Sequence, residues 1–237
     1  MSGHSHFKTI KAHKEVADAK RGKIFAKIGK VISLAAKDGP DPAVNSKLRT
    51  VIEQAKIANM PKDNIEKAIK RGSGELDGSS LEEVSFEGFG PGGTALIVGG
   101  ITDNKNRTLA DVKQIFNRYD AKLAGEGAVR WMFERRGIIL IEEISLPKEE
   151  AELIAIEAGA EDIAWQTGGL EIYTQPLELE NVKKTLEEKS LKIASSFLGW
   201  VPKESIDIDQ KAKEKNEKMF EALDENDAIQ EIFSNIK

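Results

Sequence analysis

The chain has 237 residues, 40% of them apolar, no cysteine and a formal net charge of −5. That length allows one large domain or two to three small ones, with enough apolar material for a buried core. The lack of cysteine excludes disulfides, thiolate zinc sites and thiol nucleophiles and suits a reducing compartment, and no apolar run approaches the length that spans a membrane.

The N-terminus has no apolar core of the kind a secretory signal carries, and its lysines and acids differ from an Arg/Ser-rich transit peptide. A cytoplasmic protein is expected. The charge is polarised. Residues 1–74 hold sixteen Lys/Arg and seven Asp/Glu, a net of +9, and residues 75–237 carry a net of −14. A basic third joined to an acidic body points to a polyanion-binding surface at the N-terminal end.

Residues 2–15 show no clean periodicity and read as an irregular arm that holds all three histidines, His4, His6 and His13. From Ala19 a helix is expected. Ile24, Phe25, Ile28, Val31, Ile32 and Ala35 recur at helical spacing, and Lys20, Lys23, Lys27 and Lys30 fall on an adjacent arc of roughly 80°. Such a face can follow a phosphate backbone; a helix merely solvated by lysines has the same pattern. Gly39 and Pro40 stop this helix. Asp41 reads as the N-cap of the next, with Pro42 at its first position and Val44, Leu48, Val51, Ile52 and Ala55 inward. Pro61 opens a third helix, with Ile65, Ala68 and Ile69 inward and Gly72 as its C-cap. Residues 1–75 thus read as a basic helical bundle, and RGSGELDGSS, residues 71–80, as a linker.

Strands are expected over Glu83–Phe89 and Thr94–Thr102, with GFGPGG, Gly88–Gly93, between them. This matches G-x-G-x-x-G, but it leads into a strand and not a helix, so a hairpin with glycines at positive φ is expected instead of a dinucleotide site. TDNKNRT, Thr102–Thr108, supplies caps for a helix Leu109–Tyr119. Val129–Phe133 reads as a strand with Trp131 in the core. Ile138–Glu142, Pro147–Ala158, Asp162–Gln166, Leu170–Thr174, Leu177–Lys189 and Lys192–Val201 then read as β-α-β-β-α-β, a ferredoxin-like unit. A helix Ile208–Leu223 and a strand Ile229–Phe233 follow. They complete the set begun at residue 81.

The expected architecture is therefore α+β in three domains. An all-α bundle, 1–75, is followed by a discontinuous α+β domain, 81–135 plus 205–237. A ferredoxin-like α+β domain, 137–203, is inserted in the second.

No enzyme chemistry emerges. His4-x-His6 lacks further ligands, and Asp224–Asp227, DEND, lacks the glycine and terminal glutamate of a calcium loop. There is no nucleophile elbow and no phosphate-cradling Walker loop. No catalytic residue, metal or cofactor is expected.

Several stretches in order resemble the YebC/PmpR family, which includes the mitochondrial translational activator of cytochrome c oxidase. They are Gly3-His4-Ser5, Asp18–Phe25, NMPKDNI (Asn59–Ile65), EGFGPGG (Glu87–Gly93), TDNKNRT (Thr102–Thr108) and EAGAED (Glu157–Asp162). His6-Phe7 stands where that family usually has Lys-Trp, and Ala128 where it has Ser. The resemblance implies three domains, the last inserted, and a non-enzymatic, cytoplasmic role in gene expression. It implies a DNA-binding transcriptional regulator or, alternatively, a translation factor that acts with ribosomal RNA at the ribosome on proline-rich stretches. A protein-interaction scaffold built on the acidic body is a further alternative. The residues expected to contact phosphate are Lys8, Lys11, Lys14, Lys20, Arg21, Lys23, Lys27 and Lys30, with His4 and Phe7 as base or ribose contacts. A monomer without membrane contact is expected.

Overall fold

The computed structural model describes residues 18–76, 80–142, 144–166 and 169–237, with side chains from residue 21 onward. Among them are seven α-helices and eight strands in two four-stranded sheets. The chain divides into two compact units. One holds the helical bundle and the first sheet, up to Ala128 and again over Ile208–Ile232; the other holds Val129–Asp207 and Phe233–Lys237.

In the first unit, α1 (Asp18–Ala35), α2 (Ser46–Ile57) and α3 (Lys62–Gly72) enclose a core of Ile32, Ala36, Leu48, Ala55, Met60, Ile65 and Ala68. Three expectations are corrected here. The N-cap of α2 is Asn45 and not Asp41, and Val44 is 83% exposed instead of inward. Asn45 wins because its amide serves three backbone groups. Its oxygen accepts the Leu48 N–H at 3.0 Å, and its nitrogen donates to the Ala35 and Gly39 carbonyls, each at 2.8 Å. Asp41 instead caps the preceding turn by accepting the Ala43 N–H. Gly72 is likewise the last residue of α3 and not its C-cap; the left-handed residue is Gly74, φ +81°. A Cβ on Gly72 would lie 2.1 Å from the Ser33 carbonyl oxygen, so glycine is there to let α3 approach α1.

The first sheet runs β3-β1-β2-β8, from β1 (Glu82–Gly90), β2 (Thr94–Thr102), β3 (Lys122–Ala124) and β8 (Ile229–Ser234). α4 (Lys105–Arg118) and α7 (Gln210–Asp224) contribute to its core, where Phe86, Leu96, Val98, Val112, Phe116, Met219 and Leu223 meet. The β1–β2 pair is a hairpin in register Gly90↔Thr94, turning through Pro91–Gly93 with Gly92 at φ 76°. The strand beside β1 is Lys122–Ala124, not Val129–Phe133. Trp131 is not core either. It lies in a 3-10 turn, Arg130–Met132, and is 68% exposed, because Val129 and Phe133 take the buried places on either side.

In the second unit β4 (Phe133–Ile141) is one continuous strand. It is followed by α5 (Lys148–Glu157), β5 (Asp162–Gln166), β6 (Gly169–Thr174), α6 (Leu179–Glu188) and β7 (Ser195–Pro202). The sheet order is β5-β6-β4-β7, all neighbours antiparallel. Ile139, Ile141, Leu170 and Ile172 pack on Ala151, Ala155, Val182 and Leu186 of the two helices.

Candidate nucleic-acid interface

The sequence nominates the N-terminal arm and α1. His4, Phe7, Lys8, Lys11 and Lys14 lie outside the described residues, and Lys20 lies in α1 where only the backbone is described. Arg21 is exposed on the first turns of α1. The remaining three lysines do share one face, as their spacing requires. That face meets the acidic run at the end of α7.

Lys27 is 8% exposed. Its ammonium donates to the Asp224 carbonyl oxygen at 2.7 Å and to the Asp224 carboxylate at 2.8 Å. Lys23 pairs with the Glu225 carboxylate, and Lys30 donates to the Asp227 carbonyl at 2.8 Å. The arrangement follows from helix physics. The last carbonyls of α7 lack intrahelical partners and carry the negative end of its dipole, so ammonium groups satisfy both. The hydrogen bond from Lys23 to Glu225 raises the pKa of that lysine, while burial lowers that of Lys30. Lys37 also turns inward on the chain, donating to the Leu81 carbonyl at 2.6 Å. Sequence inspection missed this pairing because the acidic run lies almost 200 residues away; only its poor fit to a calcium loop was visible.

Lys56, Lys67, Lys70 and Arg71 are exposed. The last two also complement the C-terminal dipole of α3. A shallow depression beside Lys56, lined by Pro42, Ala43, Arg49, Ile52 and Glu53, is too open to enclose a small molecule.

The two glycine- and asparagine-rich motifs have structural work. Asn216 of α7 is 0% exposed and donates to the Pro91 carbonyl at 2.9 Å, which ties the hairpin turn to that helix. A Cβ on Gly92 would lie 2.9 Å from the Ile208 side chain. In TDNKNRT, Asn104 caps α4 by accepting the Arg107 N–H at 3.0 Å, Thr102 accepts the Asn104 N–H at 2.9 Å, and Arg107 pairs with Asp103 at 2.6 Å. Among the described residues no group of three or more His, Asp or Glu side chains could hold a metal ion. No described helix is long and apolar enough to cross a membrane.

The family model for the TACO1/YebC N-terminal domain matches residues 5–75, and that for the TACO1/YebC second and third domains matches residues 81–236. The chain belongs to the TACO1/YebC family. It is 45% identical to a probable transcriptional regulatory protein of Thermoanaerobacter pseudethanolicus, over 100% of this chain and 97% of that one. A relative of the same description from Dictyoglomus thermophilum is 47% identical, over 99% and 95% of the two chains. The fold is also similar to that in the crystal structure of a conserved hypothetical protein from Aquifex aeolicus. That protein is 42% identical, with a TM-score of 0.88, over 93% of this chain and 91% of that one. The chain is thus an α+β protein of this family.

Proposed function

We propose that this protein is a cytoplasmic, non-enzymatic, DNA-binding transcriptional regulator of the YebC type, and that its basic helical domain holds the nucleic acid. One observation carries the reading. The net +9 of residues 1–74 is set on a bundle that keeps Lys56, Lys67, Lys70 and Arg71 exposed. The contact surface comprises the arm, with His4, Phe7, Lys8, Lys11 and Lys14, then Lys20 and Arg21, and these bundle cations. Lys23, Lys27 and Lys30 join it only where phosphates replace Asp224, Glu225 and Asp227 as their partners. The names of the relatives support the transcriptional role.

The layout we assign is 1–75 helical, 81–135 with 205–237 as a discontinuous α+β domain, and 137–203 as an inserted ferredoxin-like domain. The order β5-β6-β4-β7, with α5 and α6 as the connecting helices, supports the last assignment.

The test is a salt titration on duplex DNA. If about five cations displace counterions, log K falls against log salt with a slope near −4 to −5. Reversing Lys67, Lys70 and Arg71 to Glu weakens binding to all sequences alike, because phosphate contacts position without specifying. A slope near zero overturns the electrostatic reading.

A further inference from the structure

Helix α5 is apolar on two sides, and its place in the fold accounts for only one of them. Ala151 and Ala155 are fully buried against the second sheet, with Ile154 and Ala158 packed beside them. These residues recur at helical spacing and complete the face that the core requires. Leu153 and Ile156 lie on the opposite side and are 55% and 60% exposed. A surface helix ordinarily carries polar residues there. Helix propensity does not account for Ile156, since β-branched residues are weaker helix formers than straight-chain polar ones. One helical turn before and after Leu153 stand Glu149, Glu150, Ile156 and Glu157, so the apolar pair is ringed by acids. All three glutamates are exposed. Glu149 and Glu150 suit the positive N-terminal end of α5, but Glu157 sits at the C-terminal end, where the dipole opposes it. Its ion pair with Lys189 spans 3.9 Å between half-exposed side chains and adds little. Lys148, the one cation of α5, lies over the Trp165 ring, 5.2 Å from its centroid, and Glu152 accepts the Trp165 indole N–H at 2.6 Å. Both therefore serve the neighbouring strand β5.

An apolar centre inside an acidic ring is matched by an apolar stripe flanked by basic residues. A second copy of the same face would set glutamates against glutamates, so symmetric self-pairing is disfavoured. An anionic membrane or a nucleic acid meets the same repulsion. An amphipathic helix presents apolar residues at i, i+3, i+4 and i+7 and can carry Lys and Arg on both flanks. We propose that the outward face of α5, centred on Leu153 and Ile156, docks a basic amphipathic helix of another protein. The apolar contact gives the affinity, and Glu149, Glu150 and Glu157 set orientation and partner choice. A face one short helix long makes a small, transient interface. The proposal stands independently of the nucleic-acid reading, which places its ligand on the basic bundle.

The experiment uses the full chain and fluorescently labelled synthetic peptides of about 18 residues, long enough for several helical turns, read by anisotropy. The first peptide has leucines at i, i+3, i+4 and i+7 and lysines elsewhere. The second has the same composition with the leucines spread around the helix. The third keeps the leucine stripe and replaces lysine by glutamate. The first binds, the second binds about tenfold more weakly and the third does not bind. Leu153→Gln with Ile156→Gln lowers affinity for the first about tenfold, as the loss of two partly buried apolar contacts requires. Glu157→Lys lowers it too and flattens its dependence on salt. Glutamine is a good helix former and lysine suits a helix C-terminus, so both variants fold as the parent does, which circular dichroism checks. No binding of the first peptide by the parent overturns the proposal. Equal affinity for the first two peptides means that charge alone attracts them and overturns it as well. So does binding that the double Gln variant leaves intact. Self-association of the full chain in sedimentation, abolished by that same variant, means that a second copy covers this face and also overturns the proposal.

Discussion

Lys27 is a cation by sequence and nearly a core residue by position. Its two bonds to Asp224 are charge-assisted, but the Asp224 side chain is 49% exposed, so water discounts part of their worth. Lys27→Met keeps the aliphatic stem and leaves the end of α7 without its donor. It should cost about 1–2 kcal/mol in urea unfolding. Gly72 makes the same point by absence. Gly72→Ala gains about 1 kcal/mol of helix propensity. It must also push apart α1 and α3, because the new methyl would sit 2.1 Å from the Ser33 oxygen and 2.7 Å from the Ala36 Cβ. A net loss of about 2 kcal/mol is expected. Gly22→Ala in α1 meets nothing within 4 Å and should stabilise by up to about 1 kcal/mol, which gives the pair opposite signs in one melting experiment.

Asp120 supplies a pH test at the same scale. Its hydrogen bond and ion pair with Lys215, at 2.5 Å, hold its pKa below the ordinary carboxylate value. The unfolded chain therefore takes up this proton at a higher pH than the folded one. The stabilisation is complete above the ordinary value and is lost as pH falls through the lowered one. Asp120→Asn keeps a residue that tolerates the left-handed φ of 59° and removes the charge. Urea unfolding of the wild type should weaken more steeply than that of the variant as pH drops below about 4.

At the level of elements, most helices and strands were legible because their apolar residues repeat at 3.6 or 2 and their ends carry turn residues. Thr94–Thr102 and Asp162–Gln166 have the same limits in both readings. Lys122–Ala124 was not legible. Three residues show no period, and they are a strand only because Phe89 and Glu87 of β1 lie across from Lys122 and Ala124. The start of α2 failed for a related reason. Asp41 and Asn45 are both good caps by type, and the choice fell to the one whose amide also reaches the Ala35 and Gly39 carbonyls. Cap strength is measurable at α4. Asn104→Ala removes the acceptor of the Arg107 N–H and should lower stability by about 1 kcal/mol, with Asn104→Asp close to wild type, read by thermal melting.

On the scale of the whole molecule, charge decides behaviour. Asp224, Glu225 and Asp227 occupy three of the lysines that spacing alone nominates for phosphate. The double substitution Asp224→Asn and Glu225→Gln removes the carboxylate partners of Lys27 and Lys23, while Lys30 keeps the main-chain carbonyl of Asp227. Affinity for duplex DNA should rise, and the log–log salt slope should steepen by about 1 to 2. An unchanged slope in filter-binding titrations means that the stripe serves only to seat the bundle on α7.

The sequence by itself determined the fold class, the run of most helices and strands, the polarity of charge and the family, since each is written in local spacing, composition or ordered motifs. Tertiary structure alone decided which lysines are held by the end of α7 and that Trp131 lies outside the core. It also decided that Asn216 of α7 ties down the hairpin turn that the glycines of GFGPGG already announce. Those outcomes depend on what lies opposite each side chain across the fold. An ammonium pairs with whichever anion or carbonyl is nearest in space, and for Lys27 that group is 197 residues along the chain.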